Sequence, residues 1–185
     1  VEAIEGIVEE AQRLTGLLGE SGKFLQQPAM SLEEAITRAN YLKDCIENKE
    51  GYQIINDKLS SKPSSEKIVQ LLLRLVWFGS KVDLNREVNN GRGPVDYTAS
   101  FGALDKSIVE FKLAGNSKLA HGIERQTEVY LKANNTEKKV IIIVCYTEQD
   151  QETVKGVLTD LGMTNAKNIV VIDARNDNKQ SASKA

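Results

Sequence analysis

The residues whose types and spacing can do chemistry lie in two short motifs, Pro94-Val95-Asp96 and Glu110-Phe111-Lys112, one hairpin's length apart. Side chains alternate faces along a β-strand, so a strand through the second motif points Glu110 and Lys112 one way and Phe111 the other. A neighbouring strand with Asp96 on that same face brings two carboxylates and one ammonium together. Paired carboxylates suit Mg²⁺, a hard cation that takes oxygen ligands and keeps several waters. A bound ion lowers the pKa of a water and neutralises charge on a scissile phosphate. Lys112 would then orient the attacking water and stabilise the charge that builds in the transition state. Each residue alone reads as solvated strand surface. The three together, in this order, point to catalysis.

The elements that must position these residues follow from periodicity. Glu66–Phe78 predicts a helix that is apolar around much of its circumference, as in a helix covered on more than one side. Val82–Val88 predicts a strand, and Asn89-Asn90-Gly91-Arg92-Gly93 a turn. Pro94–Phe101 and Ser107–Leu113 predict two further strands around a turn at Gly102. A helix over Leu119–Ala133 follows. Val140–Tyr146 is a β-branched run of the kind buried on both faces of a sheet. Gln151–Leu161 predicts a helix and Asn168–Asp173 a last strand. Strands alternating with helices in this order imply an α/β fold, a mixed central sheet flanked by helices.

The two motifs and this element order resemble the PD-(D/E)XK phosphodiesterase superfamily, the restriction-endonuclease-like nucleases. Its signature is an acid after a proline-containing turn, then (D/E)-X-K on the next strand of an αβββαβ core. The resemblance covers about residues 64–175. It implies a Mg²⁺-dependent nuclease, with Mn²⁺ able to substitute, in which Asp96 and Glu110 hold the metal and Lys112 completes the catalytic core. Gln126-Thr127-Glu128-Val129-Tyr130 is similar to the QxxxY element of RecB-like exonucleases. Its i, i+4 spacing sets Gln126 and Tyr130 on one helical face. On that resemblance Gln126 is a further active-site residue and Tyr130 a substrate contact. Several branches of the superfamily place an acid on the first helix, where Glu66 is the best match and Glu87, on the first strand, its rival. An acid in the first turn is also favoured by the helix dipole alone. Arg92, between two glycines, either contacts phosphate or covers the turn.

The rest of the chain narrows the reading without adding chemistry. Residues 1–59 carry a helical pattern (Ile4, Ile7, Ala11, Leu14, Leu18) and a second opened by a Ser31–Glu34 capping box, with Gly51 able to end it. They predict an N-terminal helical hairpin for packing or homo-oligomer assembly. Residues 60–65, Ser-Ser-Lys-Pro-Ser-Ser, read as a linker, 66–175 as the nuclease-like domain and 176–185 as a polar, disordered tail. The net charge of -2 splits into -5 over residues 1–60 and +3 over 61–185, so the positive excess lies with the candidate site. No apolar run approaches the ~20 residues of a membrane span. The chain opens on Val1, as a fragment or processed chain would, and shows no basic-then-apolar signal peptide. Cys45 and Cys145, without partners at ligand spacing, predict buried reduced thiols and a cytoplasmic setting. His121 is the single histidine, which leaves zinc hydrolase and Ser-His-Asp schemes little to stand on, and no GxxxxGK[ST] loop is present. The expected partner is nucleic acid, DNA before RNA, in phage defence, restriction or repair. The alternative is a catalytically inactive nuclease-like module for nucleic-acid binding or assembly.

Overall fold

The structure, a computed structural model, describes residues 6, 13, 30–56, 66–86, 96–126 and 136–179, with 125 and 126 as backbone only. The chain divides into two units, Val1–Met30 and Ser31–Ala185, and the sheet with its candidate site belongs wholly to the second. All of the expected helix over residues 1–20 except residues 6 and 13, the linker 60–65 and most of the tail 176–185 lie outside the described residues. Among those described, no helix is long and apolar enough to cross a membrane.

The described elements are α1 (Met30–Asn48), α2 (Gly51–Ile55), α3 (Glu66–Val76), β1 (Asp83–Arg86), β2 (Tyr97–Phe101) and β3 (Asp105–Leu113), followed by α4 (Leu119–His121). That short helix runs into a π-turn (Gly122–Gln126), and β4 (Lys139–Cys145), α5 (Glu148–Asp160) and β5 (Ile169–Asp173) complete the chain. The fold is α/β, a five-stranded mixed sheet flanked by helices, with its strands in chain order. β1–β2 and β2–β3 are antiparallel. β3–β4 and β4–β5 are parallel.

β4 shows why the sheet holds. Val140, Ile142 and Val144 enter one core with Ala35, Ala39, Leu42 and Ile46 of α1 and Val69 and Leu73 of α3. Ile141, Ile143 and Cys145 enter the other with Leu119, Ile123 and, from α5, Val154 and Leu158. An unbroken β-branched run thus fills both faces in turn. β5, an edge strand, has its outer backbone covered: Lys43 donates to the Val171 carbonyl and Glu47 accepts from the Asp173 N–H. Such cover removes an edge that could template pairing with another chain.

Several local expectations are corrected. The Ser31–Glu34 capping box does not form. α1 starts at Met30, and Asp105, at the head of β3, accepts from the Ser31 N–H at 2.8 Å and from its hydroxyl at 2.7 Å. A carboxylate is the stronger acceptor at a helix N-terminus, and Glu34 turns instead to Arg38 at 2.8 Å. Gly51 does not end α1 by a left-handed turn. Glu50 adopts that conformation (φ 63°), and Gly51 is needed because a Cβ there would lie 2.7 Å from the Cys45 carbonyl oxygen. Cys45 is only half-buried, since it sits beside the inward stripe of α1, whereas Cys145 is in the core and burial pushes its thiol up to about 12. Of the helix expected over Leu119–Ala133, Leu119–His121 is α-helical and Gly122–Gln126 is a π-turn. The π-turn that follows uses i→i+5 pairing, which a 3.6-residue pattern does not reveal, and 127–135 lie outside the described residues.

Candidate functional site

The site forms where the β2–β3 ladder runs out. The last cross-strand pair at that end is Tyr97↔Val109. The N–H of Phe111 therefore lies beyond the ladder, and Oδ2 of Asp96 accepts it at 2.7 Å. The side chain of Asp96 thus occupies a position that strand backbone would otherwise fill, and that contact fixes it beside Glu110. Phe111 turns into the α1/α3 core, where it meets Tyr97 edge-to-face at 6.3 Å. Strand alternation then sends Glu110 and Lys112 to the opposite face, in register with Ile141 and Ile143 of β4. Lys112 Nζ donates to Glu110 Oε2 at 3.3 Å.

α3 supplies the remaining groups. Gln70 Nε2 donates to Glu66 Oε1 and to Asp96 Oδ1, both at 3.0 Å. The Tyr97 hydroxyl donates to the Gln70 carbonyl at 2.9 Å, tying the helix to the residue after Asp96. Gln70 thus links Glu66 to Asp96, and Asp96 and Lys112 in turn lie beside Glu110.

The electrostatics are those of crowded, poorly solvated acids. Glu110 is 4% exposed, and its Oε1 is buried without a hydrogen-bond partner. Burial, and then the charge of Asp96, push its carboxyl up to about 7, against the opposing pull of Lys112. Glu66 is raised by burial first and Asp96 second, with Lys112 and Gln70 opposing. Adjacent carboxylates held this way, one with an unused buried oxygen, are the donor set a hard divalent cation takes. Among the described residues, no three His, Cys, Asp or Glu side chains gather as a ready ligand set. An ion here would rest on the Asp96–Glu110 pair, with water completing its shell.

Of the residues expected at the site, Glu66, Asp96, Glu110 and Lys112 are brought together. The backbone of Gln126 closes the π-turn whose Ile123 packs on the same sheet face as Ile141 and Ile143. Arg92, Tyr130 and Glu87 lie outside the described residues. His121 is exposed on α4. Gln70 and Tyr97 escaped the sequence reading. The one trace of Gln70 is that it stands one turn after Glu66, an uncharged polar residue between Ile68-Val69 and Leu71–Leu73.

A family model described as a domain of unknown function, DUF8371, matches residues 31–148. The chain belongs to that family. No curated protein and no solved structure matches it. The DUF8371 match opens at the boundary between the two units and spans every residue of the site, from Glu66 to Gln126. It ends at the first residue of α5 and leaves β5 beyond it.

Proposed function

We propose that this DUF8371 chain is a metal-dependent nuclease of the PD-(D/E)XK type, hydrolysing phosphodiester bonds in nucleic acid, with DNA the first expectation. The observation that carries the reading is Glu110, a buried carboxylate beside Asp96 and Lys112 with one oxygen unused. A purely structural acid at this depth would be expected to find partners for both oxygens. The order α3-β1-β2-β3-α4-β4, antiparallel through β3 and parallel from β3 to β4, supports the restriction-endonuclease-like core.

Asp96 and Glu110 would hold Mg²⁺ or Mn²⁺, which when bound activates water and offsets phosphate charge. Asp96 arrives preoriented, because its Oδ2 is fixed by the Phe111 N–H. Glu110 must be ionised to act as a ligand, and its raised pKa makes that demand steepest near neutral pH. Lys112 lies within reach of Glu110 and supplies positive charge where a phosphate oxygen gains negative charge. Glu66, held through Gln70, is the acid placed to accept a proton from the attacking water.

The test is incubation of the purified chain with linear, circular and single-stranded DNA and with RNA, each with Mg²⁺, Mn²⁺ or EDTA. Cleavage that needs the divalent ion and is abolished by EDTA is the expected result. No cleavage of any substrate, with nucleic-acid binding retained, would favour an inactive nuclease-like binding or assembly module.

A further inference from the structure

Gln70 has the geometry of a working part beyond its bond to Glu66. It is 7% exposed on a helix whose other inward residues are aliphatic, so packing alone would favour Leu or Met at this position. Instead one amide nitrogen serves two acids, Glu66 Oε1 and Asp96 Oδ1. Ionised carboxylates only accept, so the amide must present its NH₂ group to both and cannot turn its oxygen inward without losing two bonds. Its own backbone is pinned as well, by the Tyr97 hydroxyl.

The consequence for Asp96 is geometric. Oδ1 is held by Gln70 and Oδ2 by the Phe111 N–H, so the plane of the carboxylate is set from both sides. A carboxylate held by one bond turns about its last torsion, which is broad and weakly restrained. Held by two, it offers fixed lone pairs toward Glu110. We infer that Gln70 is a positioning residue that sets the carboxylate plane of Asp96 for divalent-cation binding. The inference rests on the metal reading of the Asp96–Glu110 pair.

The test uses the full chain and a readout other than cleavage. Mn²⁺ binding is titrated calorimetrically at pH 7.5 for the parent protein and for Gln70→Met, Gln70→Asn, Asp96→Asn and Glu110→Gln, with thermal unfolding of each. Gln70→Met keeps the volume and removes the donor; Gln70→Asn keeps an amide that falls short by one methylene. Both should weaken Mn²⁺ binding by ~10–100-fold, the usual cost of losing a group that orients a metal ligand. Asp96→Asn and Glu110→Gln should weaken it further. A role confined to packing would lower the unfolding temperature and leave the dissociation constant unchanged. Mn²⁺ binding within twofold of the parent in either folded Gln70 variant overturns the inference alone. Absence of saturable Mn²⁺ binding in the parent overturns the metal reading, and this inference falls with it.

Discussion

β3 carries a buried acid near each end, and the fold treats the two in opposite ways. Asp105 is 3% exposed and has donors all around it: the Ser31 N–H and hydroxyl, and Lys138 at 2.7 Å. Burial alone would raise its carboxyl, but the bonds from Lys138 and Ser31 outweigh it and hold Asp105 below the usual carboxylate range. Glu110 is about as little exposed but more deeply enclosed by the protein, with a second carboxylate for a neighbour, one lysine at 3.3 Å and an unused oxygen. Similarly low exposure has produced a satisfied anion at one end and a strained one at the other. Low exposure alone therefore does not mark a functional acid. The informative quantity is how far its charge is matched by the protein itself.

The sharpest way to break this contrast is to remove each charge in turn. Asp105→Ala should cost about 3 kcal/mol of stability, because it uncaps α1 and strips Ser31 and Lys138 of their acceptor. Glu110→Gln should cost nothing and can stabilise the fold by up to about 3 kcal/mol, since it relieves a buried like-charge pair. Urea unfolding of both variants at pH 7 measures the difference. Equal losses would erase the distinction between the two acids.

The two ends should also respond to pH with opposite sign. The Glu110 carboxyl is raised in the folded state, so its contribution is fully present below about pH 4.5 and is lost as pH rises through about 7. That loss amounts to on the order of 3 kcal/mol. Glu66, raised for similar reasons, adds to the same slope. The Asp105 carboxyl is lowered, so its contribution is present above the unfolded value of 3.8 and is lost only as pH falls through its lower folded value. Stability followed from pH 2 to 8 without divalent metal should therefore fall at both ends. Glu110→Gln should flatten the neutral limb and leave the acid limb unchanged. A smaller effect sharpens the Asp105 end: Ser107→Ala removes the 2.7 Å contact with the Ser31 hydroxyl and should cost about 1 kcal/mol by the same unfolding measurement.

These two ends were not equally legible in the sequence. Strand alternation was enough to place Glu110 and Lys112 together, and the β-branched run of β4 announced a strand buried on both faces. Asp105 left no such trace. Its role depends on Ser31, 74 residues earlier, and no periodicity reports a cap delivered from another element. Gln70 was hidden for a related reason: in a helix read for its aliphatic stripe, one polar residue looks like exposed surface until a carboxylate is found across from it. The π-turn after α4 was unreadable because its hydrogen-bond spacing departs from the helical period.

The central claim is that Asp96 and Glu110 hold a divalent ion while Lys112 acts on the reacting groups, and one paired measurement addresses it directly. Lys112→Ala and Glu110→Ala are each assayed for Mn²⁺ binding and for Mg²⁺-dependent cleavage of the same DNA. Lys112→Ala should bind Mn²⁺ much as the parent does and cleave ~10²–10³-fold more slowly, a loss of about 3–4 kcal/mol of transition-state stabilisation. Glu110→Ala should lose both properties together, because it removes a ligand. Parental cleavage by Lys112→Ala, or unchanged Mn²⁺ binding by Glu110→Ala, would contradict the account.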